Sequence, residues 1–256
     1  MNEAISKNEQ EKIFQEQDDQ YQFPYHYIPH FLADNTATRV RDLDWGFDYL
    51  ACLYYAKKSV EDRSPKSVLE VGCGDGAIIG AIDQDIPRRV GVDLSSKAIA
   101  FAKAFHSNVD FKPIDANKLT ETFDAVIAVE VLEHIPDDQV TAFLQSLANR
   151  TNKGGIIYIS VPSINLPLYS KHYRHYDPAL LQSQIEQSGI DVDVEELCFF
   201  RSPVRFENIY KRLTNNRLWI GEFHPLRRII WKNIINSLDK SDTKTAQHVI
   251  AVLKKK

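Results

Sequence analysis

Between residues 67 and 161 the chain alternates short, almost wholly apolar runs with stretches whose apolar residues recur every three or four positions. The runs at 67–71, 89–93, 109–112, 123–129 and 156–161 predict buried strands, and 77–83, 96–106 and 137–150 predict helices. Strand runs that alternate with helical ones in this way imply a mainly parallel sheet with helices on both faces. Upstream, Val40, Leu43, Phe47, Leu50, Leu53 and Tyr54 recur at helical spacing until Ser64-Pro65 stops the helix. Before them lie a polar arm, 1–20, frayed or weakly helical, and an aromatic segment, 21–31. Downstream, the pattern predicts a helix near 178–187, a strand near 192–199 and a last strand at 247–253. The insertion at 201–245 contains a segment, 225–238, that puts Leu226, Ile229, Ile230, Ile234 and Leu238 along one helix face. The expected division is a covering arm and helix, 1–62, followed by a catalytic domain, 63–256, that carries this insertion.

At 256 residues, 43% hydrophobic and 26% charged, the chain can bury one substantial core. A net charge of -4 offers a polyanion no global attraction, so nucleic acid is a disfavoured partner. The insertion is the local exception, with Arg205, Arg212, Arg228 and Lys232 among its basic residues, and 225–238 is a candidate for peripheral membrane contact. Cys52, Cys73 and Cys198 are odd in number and widely spaced, which argues against a disulfide framework or a zinc site and for a reducing compartment. With no apolar run at the N-terminus and none of spanning length later, the expected location is cytoplasmic.

The strongest local signal is Val68-Leu-Glu-Val-Gly-Cys-Gly-Asp-Gly76, a buried strand running into a glycine-rich turn and then a helix. Glycines at 72, 74 and 76 permit a sharp turn and close approach of a ligand. The stretch also satisfies the dinucleotide pattern, so on its own it leaves a nicotinamide oxidoreductase open. Asp93, at the end of the second strand, suits the hydroxyls of a ribose in either case. Asp115 follows the third strand, and Phe123-Asp-Ala-Val-Ile-Ala-Val-Glu-Val-Leu-Glu-His-Ile-Pro136 forms the fourth strand and its loop. Asp93 and Asp115 also have a plainer reading as turn or cap residues.

In this order the blocks resemble the class I S-adenosylmethionine (SAM)-dependent methyltransferases over roughly residues 65 to 190, with a core similar to the ubiquinone-type O-methyltransferases. The resemblance implies an α/β, Rossmann-like, mainly parallel seven-stranded sheet whose last strand is antiparallel. It implies SAM as cofactor and S-adenosylhomocysteine as product. Glu70, Gly72, Cys73, Gly74 and Gly76 would hold the methionine part, Asp93 the ribose, Leu94 and Ala116 the adenine faces and Asp115 its amino group, with Glu130 at the same edge.

Methyl transfer from a sulfonium mainly needs alignment and exclusion of water, and a base if the acceptor is a hydroxyl. His134 and His172 are the candidate bases or acceptor anchors. Tyr25 in the aromatic arm, with Arg174 and Tyr176 in His172-x-Arg-x-Tyr176, are candidate acceptor contacts, the acceptor being a small or lipid-like metabolite. Glu130, Glu133, His134 and His172 also resemble the metal ligands of small-RNA 2′-O-methyltransferases, so a divalent metal and an RNA acceptor stand as alternatives, as does a non-catalytic SAM-binding subunit.

Overall fold

A computed structural model of the protein describes residues 7–18, 43–214, 221, 223–238 and 241–256. Seven strands form one sheet: β1 (Ser67–Val71), β2 (Arg88–Val92), β3 (Asp110–Lys112), β4 (Phe123–Val129), β5 (Thr151–Pro162), β6 (Val192–Phe200) and β7 (His248–Lys255). Their order is β3-β2-β1-β4-β5-β7-β6. The first five are parallel, and β7 enters antiparallel between β5 and β6. The helices are α1 (Lys7–Asp18), α2 (Leu43–Glu61), α3 (Ala77–Ala81), α4 (Ser96–Phe105), α5 (Val140–Arg150), α6 (Pro178–Gln187), α7 (Glu207–Thr214) and α8 (His224–Ile235).

The alternation of side chains along each strand divides the interior into two layers. On β4, Ala125, Ile127 and Val129 join α2, α3 and α8, while Val126 and Ala128 join α5 and α6. On β7, Ile250 and Val252 take the first side and Val249, Ala251 and Leu253 the second. Strands apolar on both faces need a layer on each side, which is why β2, β1, β4 and β5 lie inside the sheet, while the short β3, with Asp110 and Lys112, stands at its edge.

Several expectations need correction. The helix foreseen at 137–150 starts at Val140, after a tight turn over Asp137–Gln139. The fifth strand runs well beyond 156–161 because it reaches back through Gly154, which takes φ +77°, to pair Thr151 with Phe123. On α8 the inner face is Arg227, Ile230, Trp231 and Ile234, while Ile229 points outward, 57% exposed. Trp231 stacks on Phe47 of α2 at 6.3 Å and meets Tyr54 edge-on, so the insertion closes the core on that side. Residues 38–42 and the aromatic arm, Tyr25 included, lie outside the described residues.

Three of the insertion's basic residues are not surface charges: Arg227 lies on the inner face of α8, and Arg201 and Lys211 join a buried ionic cluster. Arg201 is 1% exposed, its Nη2 lying 2.5 Å from Glu207 Oε1 and 2.7 Å from Asp48 Oδ1. Lys211 joins them at 2.7 Å from Glu207. This buried cluster ties α2, α7 and the strand end at Phe200 together. With two cations against two carboxylates it contributes no net charge.

Candidate functional site

The glycine turn follows directly from β1. Gly72 has φ +71° and Gly76 φ +80°, conformations that side chains disfavour. A Cβ at Gly72 would sit 2.5 Å from Val131, and one at Gly76 2.6 Å from the Phe111 ring, so space and backbone both demand glycine. Cys73 between them is buried, and burial with the acids around it pushes its thiol well above the usual range. Only its backbone is available to a ligand.

Four acids line this turn. Glu70 is buried and accepts from the Ile79 amide at 3.0 Å, taking one of the otherwise unpaired amides in the first turn of α3. Asp75 accepts from Ala77 at 3.1 Å. Asp93 accepts from the Gly74 amide at 2.9 Å and the Ser95 amide at 2.8 Å, so one carboxylate fixes both the turn and the start of α4. Asp18, at the end of α1, reaches Ser95 Oγ and lies 3.2 Å from Lys97. Burial raises Glu70 well above the carboxylate range and raises Asp93 too, with neighbouring acids adding to both shifts. A cation relieves that mutual repulsion, whereas an anionic pyrophosphate aggravates it. Beyond β2 and β3, Leu94 is 63% exposed, Ala116 is buried, and exposed Asp115 accepts from the Asn117 amide at 2.7 Å as the cap of a short turn.

The loop after β4 forms the other half of the rim. Glu130 takes φ +55° and accepts from Ser160 Oγ at 3.1 Å and from His248 Nδ1 at 3.2 Å. Burial opposes both charges, yet proximity to Cys52 and Glu130 holds His248 well above its ordinary value, and His248 with Ser160 draws Glu130 below its own. Glu130 is therefore one half of an ion pair, committed to His248.

Glu133, His134 and His172 form a separate group. Their ligating atoms all lie within 4.8 Å of one another. Glu133 is fully buried, and neither of its carboxylate oxygens has a hydrogen-bond partner among the described residues. His134 Nδ1 lies 2.9 Å from the Lys171 carbonyl, which only accepts, so Nδ1 bears the proton and Nε2 a lone pair. The same logic runs through His175, whose Nδ1 donates to the Leu166 carbonyl at 3.1 Å and whose Nε2 accepts from His172 Nδ1 at 2.8 Å. His172 Nε2 is left with its lone pair too. Burial pushes His134 down to about 4, and burial with its neighbouring imidazoles pushes His172 to about 3, so both are neutral near pH 7. Burial and the charge on Glu130 hold the Glu133 carboxyl well above its usual range.

Arg174 and Tyr176 turn inward. Arg174 donates to Asp137 at 2.6 Å, to the Ile135 and Leu132 carbonyls at 2.6 and 3.0 Å and to Tyr176 Oη at 3.0 Å. Tyr176 has no exposed surface. The pair clamps the loop that carries Glu133 and His134, and the geometry favours that positioning role over contact with an acceptor. Sequence reasoning missed His175, three residues beyond His172 in the same loop, and His248, which reaches Glu130 only through the pairing of β7 with the end of β5.

Fold and rim together define a class I SAM-dependent methyltransferase. The model of a methyltransferase-domain family matches residues 47–212, and the chain belongs to that family. The ubiquinone biosynthesis O-methyltransferase of Rhizobium rhizogenes is 35% identical over 113 residues, 38% of this chain and 45% of that protein. Its counterpart from Sinorhizobium fredii is 30% identical over 195 residues, 62% of this chain and 77% of that one. The chain spans about half the length of the first curated relatives it matches. Among solved structures, magnesium protoporphyrin IX methyltransferase of Synechocystis PCC 6803, with bound SAM, aligns over 100% of both chains at 15% identity with a TM-score of 0.57, a likeness of fold. Membership of this family displaces the nicotinamide oxidoreductase alternative. No helix among the described residues is long and apolar enough to cross a membrane.

Proposed function

We propose that this protein transfers the methyl group of SAM to an oxygen or nitrogen of a small or lipid-like metabolite. The acid-lined glycine turn suits a donor that carries a sulfonium and an ammonium group. In this reading Glu70, Gly72, Cys73, Gly74 and Gly76 shape the methionine end, Glu70 and Cys73 from within. Asp93 takes the ribose, Leu94 and Ala116 flank the adenine and Asp115 takes its amino group. Glu130 acts at the same edge through its pair with His248. Residues 1–62 and the insertion 201–245 serve as covers, and cytoplasmic residence belongs to the same proposal, consistent with three free thiols.

The observation that carries the acceptor side is the pair of lone-pair-bearing Nε2 atoms on His134 and His172, which are neutral and fixed by backbone and side-chain partners. The acceptor atom attacks the methyl carbon, the carbon–sulfur bond breaks and the sulfur keeps its electron pair as a neutral thioether. A hydroxyl acceptor must shed its proton, and an imidazole Nε2 is the group able to take it. The test is turnover of labelled SAM against a panel of hydroxyl and amine metabolites. His134→Gln is expected to lower kcat by about 10²- to 10⁴-fold while leaving S-adenosylhomocysteine affinity unchanged. No binding of that product by the folded protein would overturn the reading.

A specific observation favours a second reading at the same atoms. The partnerless carboxylate of Glu133, facing two imidazole lone pairs, fits a divalent cation. Glu133, His134 and His172 would hold it, and Glu130, engaged by His248, would stand behind them. Such an ion would supply charge that lowers the pKa of an acceptor hydroxyl. Activity that survives exhaustive chelation and is not raised by Mg²⁺ or Mn²⁺ would sink this second reading alone.

A further inference from the structure

Helix α1 meets the cofactor edge end-on. Its described side chains run from half-buried to exposed, with Phe14 at 44%, so the helix gains little from apolar burial. A helix of 12 residues is marginal in water on its own. Its placement therefore leans on polar contacts, and Asp18 supplies several.

Asp18 ends α1 where α4 begins. Its Oδ1 accepts from Ser95 Oγ, and its Oδ2 lies 3.2 Å from Lys97 Nζ. The same Nζ donates to the Asp18 carbonyl at 3.2 Å, as a lysine does at the C-terminal end of a helix. Ser95 is the N-cap of α4, and its Oγ accepts from the Ala98 amide at 3.0 Å, which leaves the hydroxyl proton for Asp18. A carboxylate beside the first turn of α4 also suits the positive end of that helix. The pair with Lys97 is solvent-exposed and contributes little by itself, whereas Ser95 is buried.

Through Ser95 the contact reaches the glycine turn. The Ser95 amide donates to Asp93 Oδ1 at 2.8 Å and the Gly74 amide to Asp93 Oδ2 at 2.9 Å. Asp18, Ser95, Asp93 and Gly74 thus form one unbroken line of hydrogen bonds, with Leu94 between two of its members. Burial raises the Asp93 carboxyl and Asp18 adds to the rise, while hydroxyl protons directed at Asp93 oppose both.

We infer that Asp18 is a positioning residue of the cofactor site: docked α1 holds the loop at 93–97 in the shape that receives the adenosine end of SAM, and a bound donor in turn holds α1 in place. This rests on the donor assignment proposed above. The coupling works in both directions because whichever event comes first orders the loop that the other needs. A contact that served stability alone would, when lost, lower the unfolding temperature and leave affinity as it was.

The test is hydrogen exchange and calorimetry on the full chain with S-adenosylhomocysteine. At short exchange times, when the core strands are still protected, the ligand is expected to slow exchange along α1 in the wild type and not in Asp18→Ala. Affinity is expected to be about three- to tenfold weaker in Asp18→Ala, the size of one net hydrogen bond. The unfolding temperature without ligand should stay unchanged, because none of the described side chains of α1 is buried. Asp18→Asn keeps an oxygen for the Ser95 hydroxyl and is expected to recover most of the lost affinity. Three results overturn the inference: Asp18→Ala that binds as tightly as the wild type, Asp18→Asn that binds no better than Asp18→Ala, or wild-type α1 exchange that the ligand leaves unchanged. Folded wild-type protein that does not bind S-adenosylhomocysteine overturns the donor assignment, and this inference with it.

Discussion

Asp93 joins two elements through one side chain, and its replacement affects both. Asp93→Ala removes the acceptor of the Gly74 and Ser95 amides and the group proposed for the ribose hydroxyls. Calorimetry is expected to show S-adenosylhomocysteine affinity about 10- to 100-fold weaker, the size of one or two lost charge-assisted hydrogen bonds. Gly72→Ala tests the backbone itself. Its Cβ would meet Val131 at 2.5 Å from a left-handed conformation, so denaturant unfolding should register a loss of about 1–3 kcal/mol. Both positions were legible in the sequence because glycine and aspartate are demanded there by local geometry. The sequence also marked Glu70 as part of the cofactor loop, but its carboxylate faces Ile79 from inside the fold, and that direction follows from the side of β1 on which the residue falls.

At the scale of the element, α7 depends on a buried salt-bridge cluster rather than an apolar face. Glu207→Gln leaves Arg201 and Lys211 with half their counter-charge in a buried place, and equilibrium unfolding is expected to show a loss of about 3–5 kcal/mol. Burial pushes Glu207 upward, but Arg201 and Lys211 outweigh it and hold the carboxyl below 4.5. A depressed value means that the unfolded chain binds the proton first as pH falls. The stabilisation is therefore complete above about 4.5 and disappears as pH drops through the lower folded value. Asp48, raised by burial, acts in the opposite sense, so the comparison must be made on Glu207→Gln, whose unfolding temperature should fall less steeply than that of the wild type between pH 4.5 and 3. The existence of α7's neighbour α8 could be read from its periodicity, but the period alone assigned Ile229 inward. Packing chose Trp231 instead, because an indole between Phe47 and Tyr54 fills the space over α2.

Over the whole molecule, ligand binding and folding are one equilibrium. S-adenosylhomocysteine at about a hundred times its dissociation constant should stabilise the chain by about 2.7 kcal/mol, which for a domain of this size raises Tm by roughly 5–10 °C. NAD is expected to leave Tm unmoved, and differential scanning fluorimetry checks both. The sequence by itself determined the parallel strands, the glycine turn and the acids at the strand ends, since each follows from side-chain alternation, from backbone conformations that glycine alone enters freely, or from residues adjacent in the chain. The tertiary structure alone decided the partners. His248 meets Glu130 across 118 positions, the loop at 166–175 fixes the tautomers of His172 and His134, and Arg174 turns inward to clamp the loop after β4. Those contacts depend on the register of β7 and on which loops share a rim, and a one-residue slip in that pairing would turn every one of its side chains to the other face.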